Sequence, residues 1–96
     1  MANTFLLANK INIADSLVEE NLVSEALNIQ QKAKKLNCKL ILPVDVVCAN
    51  KIQDKNPVYC KIEEIPSGLK ILDLGEVTTK LINEEIIKSR MVLWNG

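Results

Sequence analysis

The sequence contains no histidine. That excludes Ser-His-Asp and Cys-His machinery, histidine-ligated metal sites and any histidine base. Aromatic residues are scarce, with only Phe5, Tyr59 and Trp94 present. Glycine occurs only at Gly68, Gly75 and Gly96, so no glycine-rich phosphate loop lies inside the chain. Neither sign of charge is in excess, because 12 Lys and Arg balance 12 Asp and Glu. This argues against a nucleic-acid footprint and against a polybasic membrane patch, both of which need clustered cations. No apolar stretch approaches the roughly 20 residues that span a bilayer. Met1 to Lys10 lacks the charged start and apolar run of a signal peptide. Cys38, Cys48 and Cys60 form no CxxC pair. They read as reduced cytosolic thiols used as small hydrophobes, since a metal site needs more ligands at tighter spacing.

What remains is a chain of 96 residues, 48% hydrophobic and 25% charged, enough for one small domain or a piece of one. Met1 to Ala8 is helical in pattern, with Ala2, Phe5, Leu6 and Ala8 as its apolar positions. Val18 to Asn37 is the clearest helix. Leu22, Ala26, Ile29, Ala33 and Leu36 recur at helical spacing, widened by Val23 and Leu27. Early glutamates and late lysines complement the helix dipole. Ser16 with Glu19 fits a capping box, and Asn37 suits a left-handed C-terminal position.

Lys39 to Leu42 reads as a buried parallel strand, ended by Pro43. Val44 to Ala49 and Val58 to Ile62 read as an antiparallel hairpin at the sheet margin, joined by the polar stretch Asn50 to Pro57. Pro66-Ser67-Gly68 is a turn. Leu69 to Gly75 is a short apolar segment, Val77 to Lys88 a second amphipathic helix, and Met91 to Trp94 another buried strand. This alternation predicts an α/β fold: a three-layer, Rossmann-like sandwich with parallel core strands, right-handed crossovers and an antiparallel hairpin at the margin.

In open α/β sheets, ligands bind beyond the carboxyl ends of parallel strands. Two such ends are expected, at Leu42-Pro43-Val44-Asp45 and at Trp94-Asn95-Gly96. Asp45 suits a cation or a ligand hydroxyl, and equally a carboxylate capping backbone N–H groups. Asp73, before Gly75, reads more readily as a structural hydrogen-bond acceptor than as a catalytic group. Asn95 can donate and accept, so it suits a phosphate or ribose, or a turn before glycine. Trp94 reads as core. The pairs Glu19-Glu20, Glu63-Glu64 and Glu84-Glu85 read as solvated faces.

A series of blocks resembles phosphoglycerate kinase, in order and at the right spacing. They are Met1-Ala2-Asn3-Thr4-Phe5-Leu6, Ser16-Leu17-Val18-Glu19-Glu20, Leu42-Pro43-Val44-Asp45-Val46-Val47, Ile65-Pro66, Leu72-Asp73-Leu74-Gly75 and Val92-Leu93-Trp94-Asn95-Gly96. The resemblance spans residues 1–96 and implies the middle of that enzyme's C-terminal, nucleotide-binding domain. It also implies the family's reaction, in which a phosphoryl group passes between 1,3-bisphosphoglycerate and ADP, giving 3-phosphoglycerate and Mg-ATP. The enzyme would be cytoplasmic and monomeric, and would work by hinge closure, positioning and charge stabilisation.

By the same resemblance, Leu17 and the pair Ile71-Leu72 wall the adenine pocket, and Asn95 approaches the nucleotide's phosphates. No catalytic residue and no magnesium ligand is expected inside the chain. Two positions depart from the family pattern. Ile71 stands where glycine is usual, and its branched side chain would narrow the pocket or shift the base. Glu76 replaces the usual proline at a helix start, where an acid still suits the dipole. The family's triose-binding basic residues, phosphate-reaching lysines and metal-binding aspartate have no counterpart here. The chain is therefore expected to be a fragment, inactive alone and marginal or self-associating in isolation. The alternatives are a non-catalytic nucleotide-binding module and a structural α/β scaffold.

Overall fold

The computed structural model describes residues 1–94, as three α-helices and one three-stranded sheet. Helix α1 spans Ala2–Ala8 and α2 spans Val23–Lys35, with a 3-10 turn at Glu20–Leu22 between them. The capping box expected at Ser16 and Glu19 does not form. The Ser16 hydroxyl instead donates to the Ile13 carbonyl and accepts the Ile71 N–H at 2.9 Å. The Glu19 N–H reaches Thr4 Oγ1 at 3.3 Å. Both groups serve tertiary links, and the helix starts a full turn later. Its other end follows the expectation. Asn37 takes φ 52°, the Cys38 N–H meets the Ala33 carbonyl at 2.8 Å, and the Asn37 N–H meets Lys34 at 3.4 Å. This pair of bonds is the Schellman arrangement that satisfies the last free carbonyls of a helix.

The apolar stripe of α2 is only partly used. Ala26 is buried against α1, whereas Leu22, Leu27 and Ile29 remain 41–42% exposed.

Strand β1 spans Asp45–Ala49, β2 spans Val58–Lys61 and β3 spans Lys70–Leu74, in the order β2-β1-β3. The expected hairpin is present, with Asp45 opposite Lys61 and Cys48 opposite Val58, but it does not lie wholly at the margin, because β1 is the central strand of the described sheet and only β2 is at its edge. Its loop is tied by Asp54, whose carboxylate accepts the N–H groups of Asn50 at 2.9 Å and Lys51 at 3.0 Å. The turn leading into β3 places Gly68 at φ 78°, the sign a type II turn requires at its third residue. β3 then pairs antiparallel with β1, with a bulge between Val47 and Cys48.

The α/β class holds, while the expected strand directions need correction. All described strand pairs are antiparallel. Lys39–Leu42 and Met91–Trp94, expected as parallel core strands, are not strands among the described residues. A strand exists only through ladder hydrogen bonds to a neighbour, and these segments have none here. Their side chains show it: Leu40 is 41% exposed, Leu93 94% and Trp94 84%, so Trp94 is not a core residue here. The three-layer arrangement is likewise not formed by these residues. Instead α1 packs on α2, and α3, spanning Glu76–Lys88, packs on β1. The centre is small, comprising Leu6, Ile13, Ala26, Val46, Cys48 and Ala49.

Candidate functional site

Two neighbouring features lie at the β1–β3 end of the sheet. The first is the junction of β1 and α3. Asp45 is the first residue of an antiparallel strand, not the tip of a parallel one. Its carboxylate accepts the Val77 N–H at 2.9 Å and the Thr78 N–H at 2.7 Å, so a strand residue caps α3. This satisfies two of the N–H groups that a helix start leaves without partners. Thr78 completes the junction. Its hydroxyl lies 2.5 Å from Asp45 Oδ1 and accepts the N–H groups of Val44 at 3.0 Å and Asp45 at 3.1 Å. The Thr78 hydroxyl and these backbone donors hold the Asp45 carboxyl below its usual range. Of the two readings open for Asp45, the structure fulfils the cap. Asp73 also takes a structural bond, accepting the Leu74 N–H at 2.8 Å.

The second feature is a cleft of about 270 Å³ between the start of α1 and strand β3. Met1, Ala2 and Asn3 form one side, and Pro43, Ile71 and Leu72 the other. Leu17 does not line the cleft directly, but it is held beside it. The Asn3 side-chain amide donates to the Leu17 carbonyl at 2.9 Å, and the adjacent Ser16 receives the Ile71 N–H. Two hydrogen bonds thus fix the Leu17 loop to α1 and to β3 at once. Leu17 itself is 87% exposed and Leu72 39% exposed, so both present apolar surface to solvent. Asp73 is the one charged side chain in the cleft wall among the described residues, which suits a neutral ring better than a phosphate.

Of the four sequence-predicted residues, Ile71 and Leu72 therefore share the cleft wall, and Leu17 is tethered beside it through its backbone. Asn95 lies outside the described residues. Asn3 and Ser16, which do the positioning, were missed by sequence reasoning. Asn3 stood only as part of a resemblance block, and Ser16 was assigned to a helix cap. Their partners lie 14 and 55 residues away, a separation no local pattern reports. A larger groove of about 450 Å³ between Tyr59 and α3 holds none of the three described ones.

Among the described residues there is no group of three or more His, Cys, Asp or Glu placed to hold a metal ion. No helix among them is long and apolar enough to cross a membrane.

The family described as Phosphoglycerate kinase matches residues 1–96. Among curated relatives, the phosphoglycerate kinases of Nautilia profundicola and Chloroflexus aggregans are each 43% identical over 97 residues, and that of Helicobacter hepaticus is 41% identical. Each alignment covers 100% of this chain and 24% of the relative. The solved structure of phosphoglycerate kinase from Coxiella burnetii superposes with a TM-score of 0.95 at 32% identity, over 99% of this chain and 25% of that one. The chain thus spans about a quarter of the length of the proteins it matches.

Proposed function

The chain belongs to the phosphoglycerate kinase family, and we propose that its residues form part of the C-terminal, nucleotide-binding domain of a cytoplasmic, monomeric enzyme of that kind. The reaction is phosphoryl transfer from 1,3-bisphosphoglycerate to ADP, giving 3-phosphoglycerate and ATP. In this reading the chain supplies position and no acid, base or nucleophile. Leu17, Ile71 and Leu72 hold the adenine ring by apolar contact, as flat bases are mostly held. Asn95 reaches the phosphates. The observation that carries this reading is the pinning of Leu17 beside Ile71 and Leu72 through Asn3 and Ser16.

Magnesium travels with the nucleotide, and the described residues do not fit it. Asp45 has both carboxylate oxygens engaged by α3, and Asp73 is the one carboxylate in the cleft wall. No step is assigned to a metal held by this chain. The three-layer sandwich with parallel core strands belongs, in this proposal, to the complete domain. Lys39–Leu42 and Met91–Trp94 would there find the neighbours that their exposed apolar side chains call for.

The test uses the full-length enzyme that carries these residues. Leu72→Asp places a charge beside the ring and is expected to raise KM for ADP about tenfold, equivalent to about 1.4 kcal/mol, while KM for the triose is unchanged. The purified 96-residue chain is expected to yield no ATP in a coupled assay. An unchanged KM for ADP in the variant would remove Leu72 from the pocket.

A further inference from the structure

Cys48 and Cys60 take no part in the cleft or in the helix cap, yet the hairpin brings them together. Cys60 stands opposite Val46 and Cys48 opposite Val58, so the two are diagonal neighbours across antiparallel strands. Side chains alternate along a strand, which puts both thiols on the same face of the pair. Their sulfurs lie 3.8 Å apart. The third cysteine, Cys38, is exposed beyond α2.

We infer that Cys48 and Cys60 form a reversible intramolecular modification site, closing to a disulfide when a hydroperoxide oxidises Cys60. The two thiols differ in access. Cys48 is fully buried in the central strand, whereas Cys60 is half-buried on β2 and meets solvent. Burial, and then the adjacent Cys60 sulfur, pushes the Cys48 thiol up to about 12, so it stays protonated near neutrality and is not the group oxidised first.

The chemistry balances in two steps. The Cys60 sulfur attacks one peroxide oxygen and the O–O bond breaks. Sulfur is oxidised to a sulfenic acid and the peroxide is reduced to water or an alcohol. The Cys48 sulfur then attacks the Cys60 sulfur and expels hydroxide, which leaves as water with the Cys48 proton. Two thiols and one hydroperoxide give one disulfide, one water and one further water or alcohol.

Bond formation requires the sulfurs to approach by about 1.8 Å from their 3.8 Å separation. The local backbone has two places that can supply such a shift. The ladder on the far side of β1 is irregular beside Cys48, where β3 inserts an extra residue, Leu72, opposite the Val47–Cys48 step, and β2 pairs on one side only within the described sheet. The bridge would tie β2 to the central strand and restrict the loop Asn50 to Pro57.

The test is peroxide treatment of the folded, full-length protein, followed by trypsin digestion without reductant. The two cysteines fall in different tryptic peptides, Leu40–Lys51 and Asn56–Lys61. The expected result is a linked pair of these peptides, lighter by two hydrogens, that a dithiol separates. In Cys48→Ala, most Cys60 is expected to over-oxidise to sulfinic acid, because its resolving partner is gone. In Cys60→Ser, Cys48 is expected to survive as a free thiol, a readout that does not depend on tolerance of a change in the core. Accumulation of Cys60 sulfinic acid in the unsubstituted protein with Cys48 still reduced would overturn the inference. So would bridges that run mainly through Cys38 or between molecules.

Discussion

The carboxylate of Asp45 occupies the space that a side chain at Gly75 would need. A β-carbon at Gly75 would fall 2.2 Å from Asp45 Cγ and from Oδ2, far inside contact distance. Gly75 has φ −78°, an ordinary value, so the close approach and not the backbone conformation requires glycine. Gly75→Ala is expected to displace the carboxylate from the start of α3 and lower Tm by about 4–8 °C, the scale of a lost helix cap in a domain of this size. The effect should be non-additive with Asp45→Ala, since the clash disappears when the carboxylate does. Thermal unfolding of both single variants and the double variant checks this.

The same junction sets an acid limit. Asp45 is held below its usual 3.8, first by the Thr78 hydroxyl and then by the backbone N–H groups. Glu85 is held below its usual 4.5, chiefly by the Lys39 ammonium 2.5 Å away. A carboxyl whose folded value is depressed adds stability above its unfolded value and loses it as pH falls toward the folded one. The urea midpoint should therefore stay level down to about pH 5 and decline below it as these two groups protonate. Asp45→Asn is expected to lower the midpoint at neutral pH and to make the acid decline shallower. A pH series of urea titrations on both proteins measures it.

Thr78 is buried at 1% exposure and its hydroxyl serves two backbone donors, Val44 and Asp45. Thr78→Val keeps the shape and leaves those donors without a partner. The expected cost is about 1–3 kcal/mol. Thr78→Ser retains the hydroxyl and is expected to recover more than half of that loss. Equilibrium denaturation of the two variants separates the hydrogen bonds from packing.

The apolar side chains of Leu40, Leu81, Leu93 and Trp94 are each left exposed by the described residues. The purified 96-residue chain is expected to self-associate with rising concentration. Its Tm should stay below about 60 °C, within the mesophile range. Sedimentation velocity across a concentration series, with a melt at each, reads both.

Local features were legible in the sequence where local physics decides them. The Asn37 helix end, the hairpin pairing Asp45 with Lys61 and the Gly68 turn each depend on residues close in the chain. Long-range partners were not legible. Ser16 looked like a helix cap, yet its hydroxyl binds Ile71, 55 positions on. Asp45 left two readings open until α3, more than 30 residues later, proved to be its partner. Lys39–Leu42 and Met91–Trp94 have strand-like composition, but composition cannot provide the neighbouring strand that pairing needs. The cleft residues Ile71 and Leu72, and Leu17 beside them, came from family resemblance, because exposed apolar side chains carry no chemical signature of their own.

Ile71 offers a test of the departure from the family pattern. Its side chain stands in the cleft wall, at a position that the resemblance assigns to glycine. In the full-length enzyme, Ile71→Gly is expected to lower KM for ADP and to cost more stability than the roughly 0.5–1 kcal/mol by which glycine trails alanine inside a strand, because the half-buried side chain is lost as well. Steady-state kinetics with a parallel melt checks both directions of change.

The most direct measurement is photolabelling of the full-length protein with an azido-adenine analogue of ADP, followed by peptide mapping. The expected result is label on the peptides carrying Leu17 and Ile71-Leu72, abolished by excess ADP. ADP-protected label confined to segments outside residues 1–96, or to the groove between Tyr59 and α3, would contradict the adenine-wall assignment.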